Sequence, residues 1–206
     1  MTSFIGLVGR KNSGKDTVGD YLVKEHGFKR LAFADPVKWV ARKLFPELTE
    51  AQCWGSVAVK ETVDPLLGFT PRWLFQTIGT EVGRMGNLRA LEHVGVPSRY
   101  LEVVFTQFGI CPGPAAWVNA LLAYRQSQPG KHIITDVRFP NEAAAILTDK
   151  GEVWKLVRPG SDTGAFNDHP SETEVDNCPY GRLLVNDSTI ETLQHNALLL
   201  LNLEVS

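Results

Sequence analysis

"GLVGRKNSGKDT", Gly6 to Thr17, decides the fold. An apolar run, "SFIGLV", leads into it, and beyond Gly14 the spacing of Val18, Tyr21 and Leu22 turns helical. The order is therefore strand, glycine-rich turn, helix. Gly9, Gly14 and Lys15 satisfy the phosphate-loop pattern G-x-x-x-x-G-K-[ST], and Asp16 breaks it at the last position. Such a turn aims several backbone N–H groups at one point, where the helix dipole also favours an anion. Lys11, Asn12, Ser13, Gly14 and Lys15 are expected to cradle the β- and γ-phosphates of a nucleotide, with Lys15 following the γ-phosphate during transfer. Asp16 has two readings at this stage. A carboxylate beside phosphates is tolerable when a cation lies between them, which makes it a Mg²⁺ ligand with Thr17 as a neighbouring hydroxyl donor; alternatively it caps the helix.

Working outward, "KRLAF" reads as a second strand. Asp35-Pro36 then gives an N-cap with proline at the first helical position, opening a helix through Val37, Val40, Ala41 and Leu44. The pattern is weak from Glu47 to Leu67, an irregular stretch or short helices. Thr70-Pro71 repeats the cap-and-proline signal before a helix with Leu74, Ile78, Val82 and Met85 on its apolar face. "PAAWVNALLAYRQ" is a further helix. "HIITDV", Pro140 to Lys150 and "EVWKLV" alternate strand, helix and strand, as crossovers onto a parallel sheet do. Arg158 to Tyr180 is polar and reads as a long loop or lid, "RLLVN" as a last strand, and Ser188 with Glu191 as the capping box of a final helix.

Three further segments hold candidate chemistry. Asp136 ends an apolar strand in the manner of a Walker-B carboxylate, able to order magnesium water or a substrate group, and the next residue is Val137, so the water-polarising glutamate of motor ATPases is missing. Arg138 can grip a phosphate bidentately, with a salt bridge to Asp136 as the other reading. Asn141 and Glu142 either join this site or only begin the helix. In "TPRWLFQTIGTEVGR", Arg72, Gln76, Thr80 and Arg84 form a slowly drifting polar stripe, and Gly79 and Gly83 along it imply close approach of a ligand or another backbone. Arg158 stands at a strand end, followed by a polar, lid-like segment with His169, Ser171 and Glu172, in which His169 reads as an ordinary surface or hydrogen-bonded histidine and not a metal ligand. Asn186 and Asp187 face a nucleotide base or turn the chain.

Bulk composition limits the alternatives. At 206 residues, 43% hydrophobic and 21% charged, the chain is long enough for one globular domain, and a formal charge of −2 gives no support for wholesale binding of nucleic acid or membrane surface. Cys53, Cys111 and Cys178 lack C-x-x-C spacing, which speaks against a disulfide framework or zinc site and for a reducing cytoplasm. No apolar run reaches membrane length. A guanine-type N-K-x-D motif, which a GTP-dependent switch would need, is not in a suitable position.

As an ordered set, "GRKNSGKDT", "LAFADPVK", "RWLFQTIGTEVGR", "WVNALLAY", "TDVRFPNEAAAI", "VRPG", "HPSETEVD" and "LLVNDSTIETL" resemble the deoxynucleoside monophosphate kinases of bacteriophages, within the nucleoside monophosphate kinase-like phosphate-loop proteins. The Gly-Lys-Asp-Thr ending is itself typical of that group. The resemblance implies an α/β fold, a three-layer α/β/α sandwich with a five-stranded parallel sheet, in one domain covering residues 1–206. Its core would be residues 1–45, 112–158 and 181–206, its monophosphate-binding region about 46–111 and its lid about 159–180. It implies transfer of the γ-phosphoryl of ATP, with Mg²⁺, to a deoxynucleoside monophosphate. On that reading Lys15, Arg138 and Arg158 are catalytic. Gly14 to Thr17 hold ATP and metal, with Asp136 as a second metal residue and Asn186 near adenine. Asp35, Lys38, Arg72, Gln76, Thr80, Arg84, Trp117, Asp136, Arg138 and Glu142 serve the monophosphate side. The partners implied are the two nucleotides, with no nucleic acid polymer and no membrane, and a homodimer is left open. Residues 85–116 form a longer insertion than the family pattern has, in which Arg89 and Arg99 read as surface charge. A phosphate kinase of phosphomevalonate type, sharing a similar loop, is the nearest rival.

Overall fold

The computed structural model describes residues 3–160 and 174–202. It divides into two compact units, Met1–Ala32 with Arg125–Ser206, and Phe33–Tyr124.

The first unit is built on five parallel strands: β1 (Phe4–Val8), β2 (Phe28–Leu31), β3 (Lys131–Val137), β4 (Glu152–Val157) and β5 (Arg182–Val185), in the order β2-β3-β1-β4-β5. The loop strand β1 lies centrally, with β3 on one side and β4 on the other. Every residue of β1 is buried, as expected of a parallel strand covered on both faces. Ile5, Leu7, Ile133, Trp154, Leu156 and Leu184 pack with Val18 and Leu22 of α1 (Lys15–His26) and with Leu193, Ala197 and Leu201 of the carboxy-terminal helix Ile190–Asn202. The opposite face of β1 meets Ile146, from helix Pro140–Thr148. This is the three-layer α/β/α arrangement expected from the sequence. Glu152 ties β4 to β5, accepting from Trp154 Nε1 at 2.8 Å and from Arg182 Nε at 2.7 Å.

The second unit is helical: α2 (Asp35–Leu44), α3 (Glu50–Trp54), α4 (Val57–Glu61), α5 (Pro71–Gln76), a π-helix (Thr77–Arg84), a 3₁₀ turn (Glu92–Val94), α6 (Ser98–Gln107) and α7 (Ala116–Ser127), the last running on into the first unit. Helix Pro140–Thr148 is α8 and Ile190–Asn202 is α9, with a 3₁₀ turn at Glu174–Asn177 between them. Val40, Leu44, Leu48, Leu74, Ile78, Val82 and Leu101 share this unit's core, and so do Leu91, Val104 and Phe105. The insertion 85–116 thus contributes core residues and is not an appended loop. Arg89 and Arg99 are exposed, as expected.

Three local expectations need correction. Ala34, and not Asp35, is the N-cap of α2; the Asp35 carboxylate instead accepts from Lys38 Nζ at 3.1 Å and from Trp54 Nε1 at 3.0 Å. α9 is capped by Thr189, whose Oγ1 accepts from Thr192 N at 3.2 Å, one residue later than the Ser188 box. The helix that begins at Thr70-Pro71 does so with the expected cap, Thr70 Oγ1 accepting from Trp73 N at 3.1 Å, but it widens into π-turns after Gln76.

Candidate active site

The loop after β1 is shaped by backbone geometry and by a tether from the far end of the sheet. Gly14 is the N-cap of α1 at φ 104, a conformation L-residues rarely adopt. Ser13 is buried, and its N–H closes a turn onto Arg10 O at 3.2 Å. Asn186, just past β5, donates Nδ2 to Ser13 O at 3.1 Å and its own N–H to Val157 O at 2.8 Å. The Asn186 amide, expected beside adenine, therefore braces the loop while also lining the cleft beside it. Lys15 donates Nζ to Gly9 O and, at 2.7 Å, to Arg10 O. Its ammonium lies over the loop's own carbonyls.

Lys11 to Thr17, Thr135, Asp136, Arg138, Arg158 and Asn186 surround one cleft of about 710 Å³. Of the residues singled out in the sequence, the whole loop set and four from three distant segments meet here. Four cationic side chains, Lys11, Lys15, Arg138 and Arg158, face two carboxylates, Asp16 and Asp136. That balance, with the amino end of α1, suits a polyphosphate. Thr135 was not foreseen, although its place before Asp136 on β3 puts it at the same strand end.

Asp16 is exposed in the first turn of α1, and the cap position belongs to Gly14 without a side-chain bond. Of its two readings, capping has no support in this geometry. Among the described residues no group of three or more His, Cys, Asp or Glu side chains could hold a metal by itself. Mg²⁺ typically takes one or two carboxylates and completes its shell with water and substrate phosphates. Two carboxylates lining one cleft, Asp16 and Asp136, fit that ion.

Glu142 is 3% exposed, and its Oε2 accepts from Arg138 N at 2.9 Å and from Phe139 N at 3.2 Å. It holds the turn that carries Arg138. The position was legible in retrospect, since a glutamate two residues after the helix-opening Pro140 is the N3 member of a capping box. A second unforeseen group joins the loop to the 3₁₀ turn at Glu174–Asn177: Arg10 pairs with Asp176 at 2.5 Å, and Lys155 Nζ lies 3.8 Å from the same carboxylate. Arg10 and Asp176 are 166 positions apart, and no local pattern announces such a pair. His169, Ser171 and Glu172, with the middle of the expected lid, lie outside the described residues.

Within the second unit, Asp35 links Lys38 to Trp54, and Lys38 Nζ and the Arg42 guanidinium stand 5.4 and 5.7 Å from the Trp54 ring centre. Burial, then the neighbouring charges of Lys38 and Arg72, push the Lys60 ammonium below its usual pKa. Arg72 Nε lies 3.2 Å from Glu61 Oε1. Gln76 ends α5, and Thr80 and Arg84 follow in the π-helix. Trp117, expected on the monophosphate side, is 3% exposed; its Nε1 donates to Gly79 O at 2.8 Å and its ring covers Gly83. The close approach foreseen at the two glycines is made at Gly83 by this ring, whereas Gly79 has only Val37 nearby, at 3.8 Å.

The family described as deoxynucleotide monophosphate kinase matches residues 3–65. A protein of Acanthamoeba polyphaga mimivirus, provisionally named deoxynucleotide monophosphate kinase, is 35% identical over 191 residues, 91% of this chain and 90% of its own. The chain belongs to the deoxynucleotide monophosphate kinase family. The chain is accordingly a nucleotide monophosphate kinase by family. Solved structures similar to this kinase include TT1252 from Thermus thermophilus, 15% identical over 98% of this chain and 99% of that one at TM-score 0.42. Dephospho-CoA kinase from Campylobacter jejuni is 10% identical over 97% and 95%, at TM-score 0.43. Among the described residues no helix is long and apolar enough to cross a membrane.

Proposed function

We propose that this kinase moves the γ-phosphoryl group of ATP to a deoxynucleoside monophosphate, yielding the diphosphate for deoxynucleotide synthesis. The observation that carries the reading is the convergence of Lys15, Asp136, Arg138 and Arg158 on the cleft at the amino end of α1. The acceptor is a phosphate monoester whose second pKa is about 6, so its attacking oxygen is ionised near neutral pH. A general base is unnecessary. What the protein must supply is neutralisation and alignment of two anions. Lys15 leaves the carbonyls of Gly9 and Arg10 for the γ-phosphate oxygens, and Arg138, held by its backbone to Glu142, offers a two-pronged donor to the same group. Arg158 adds charge from the end of β4. Mg²⁺, held by Asp16 and Asp136, would neutralise phosphate oxygens as charge shifts between donor and acceptor.

The acceptor side draws on Asp35, Lys38, Arg72, Gln76, Thr80 and Arg84, all in the helical unit, with Trp117 supporting them. Cys53, Cys111 and Cys178 are free thiols, in keeping with a reducing cytoplasm, that of an infected host if the gene is from a phage. A homodimer would be read directly by sedimentation. The deciding assay incubates the enzyme with ATP and Mg²⁺ and each common deoxynucleoside and ribonucleoside monophosphate, with phosphomevalonate alongside. Diphosphate formation from deoxynucleoside monophosphates is expected. Transfer to none of the nucleotides overturns the reading.

A further inference from the structure

Asp16, Gly19 and Asp20 share one face of α1, at spacings of three and four residues. Two carboxylates four apart on a helix repel, and a cation from another element stands against both turns. Arg30, on β2, donates Nη2 to Asp20 Oδ1 at 2.9 Å, and the same nitrogen reaches the carbonyl oxygen of Asp16 at 3.4 Å. Strand register explains how it arrives. Arg30 pairs with Ile133 of β3, which packs with Val18 and Leu22 of α1, and the two-residue alternation of a strand puts Arg30 and Thr135 on that same face.

Gly19 completes the arrangement. It is buried, and a Cβ built there would stand 2.6 Å from Arg30 Nη2 and 2.6 Å from Thr135 Cγ2. A glycine inside a helix costs about 1 kcal/mol relative to alanine. What that cost leaves open is a notch, met by the guanidinium and by a threonine that lines the nucleotide cleft with Asp16.

We infer that Arg30 is a positioning residue for Asp16: seated at the Gly19 notch and anchored by Asp20, its guanidinium fixes the first turn of α1 and so the place of the Asp16 carboxylate at the cleft. The inference rests on the proposed metal role of Asp16 and adds what holds that carboxylate in place. Charge and position make opposite demands on Arg30. A cation beside Asp16 disfavours Mg²⁺, so losing the charge alone would ease metal binding, whereas losing the hold on the turn would impair it. Lysine isolates the second effect because it keeps the charge and gives up the planar fork.

The test therefore uses Arg30→Lys, with Gly19→Ala as a second variant that keeps Arg30 but fills its seat. In each, the Mg²⁺ concentration giving half-maximal rate is expected to rise about three- to fivefold, the range that a partly exposed ion pair can transmit, while the acceptor KM stays unchanged. Calorimetric titration with ADP gives a readout without turnover: affinity should fall when Mg²⁺ is present and hold when it is absent. In an Asp16→Ser background, Arg30→Lys should add nothing to the magnesium requirement, because the two residues act in series. An unchanged or lowered requirement in folded Arg30→Lys enzyme overturns the positioning role, and so does a full further rise in the Asp16→Ser background. If Asp16→Ser itself leaves the titration unchanged, the metal reading of Asp16 falls and the inference with it. If Asp16→Ser raises the requirement and Arg30→Lys does not, the metal reading stands and Arg30 alone is rejected.

Discussion

The Glu142 carboxylate receives the backbone N–H of Arg138 at 2.9 Å, and it does so from a side chain only 3% exposed. A charged acceptor on two consecutive N–H groups fixes the direction in which the strand β3 releases Arg138 toward the cleft. Glu142→Ala leaves those donors unmet and is expected to destabilise the fold by about 1–3 kcal/mol and to lower kcat as well. Glu142→Gln, which retains an acceptor oxygen, should recover most of both. Urea unfolding and steady-state rates on the two variants check this, and equal kcat in both would separate Glu142 from the placement of Arg138.

Lys15 Nζ reaches the carbonyls of Gly9 and Arg10 and the hydroxyl of Ser13 in its own loop, and Arg138 is an exposed side chain. Replacing either by alanine should cost little stability but lower kcat by about 10²–10³-fold, the usual consequence of removing one donor from developing charge. A folded Arg138→Ala enzyme with near-normal turnover would remove Arg138 from the mechanism.

Asp16→Ser restores the hydroxyl of the commoner loop. Because Gly14 occupies the cap position, the substitution should shift stability by no more than a few tenths of a kcal/mol, the scale of an exposed helix-dipole contact. The Mg²⁺ concentration giving half-maximal rate should rise. An unchanged magnesium titration would reject Asp16 as a metal residue.

His132 is buried on β3, and neither ring nitrogen has a hydrogen-bond partner. Burial, then the nearby Arg125 and Lys29 charges, hold its pKa below the ordinary 6.5. The unfolded chain therefore binds a proton that the folded one refuses as pH falls through that value, so folding stability declines on acidification. His132→Leu should flatten this part of the stability profile, measured by denaturant unfolding between about pH 7.5 and 5.5. An unaltered slope would show that other groups set the acid limb.

The strands and the loop were readable because apolar runs, glycines and a lysine act locally. The short helices within Glu47–Leu67 emerged as the weak pattern allowed, and Thr70-Pro71 capped where expected. The π-helix was not readable. Its residues have an ordinary helical pattern, and the indole that donates to its Gly79 carbonyl comes from position 117, 38 residues further on. Asp35 illustrates a different failure: its sequence context is that of a cap, but Lys38 and Trp54 are stronger claimants for its oxygens. Asn186 looked like a base reader because a strand end in this fold faces the nucleotide, and it was the loop's own carbonyl that took the amide.

The bond from Asn186 to Ser13 spans 173 positions of the chain. Synthesis delivers the phosphate loop well before its brace. A nascent or truncated chain that stops short of Asn186 carries the entire G-x-x-x-x-G-K signature, yet it lacks the amide that holds Ser13. The loop is finished only when β5 has taken its place beside β4.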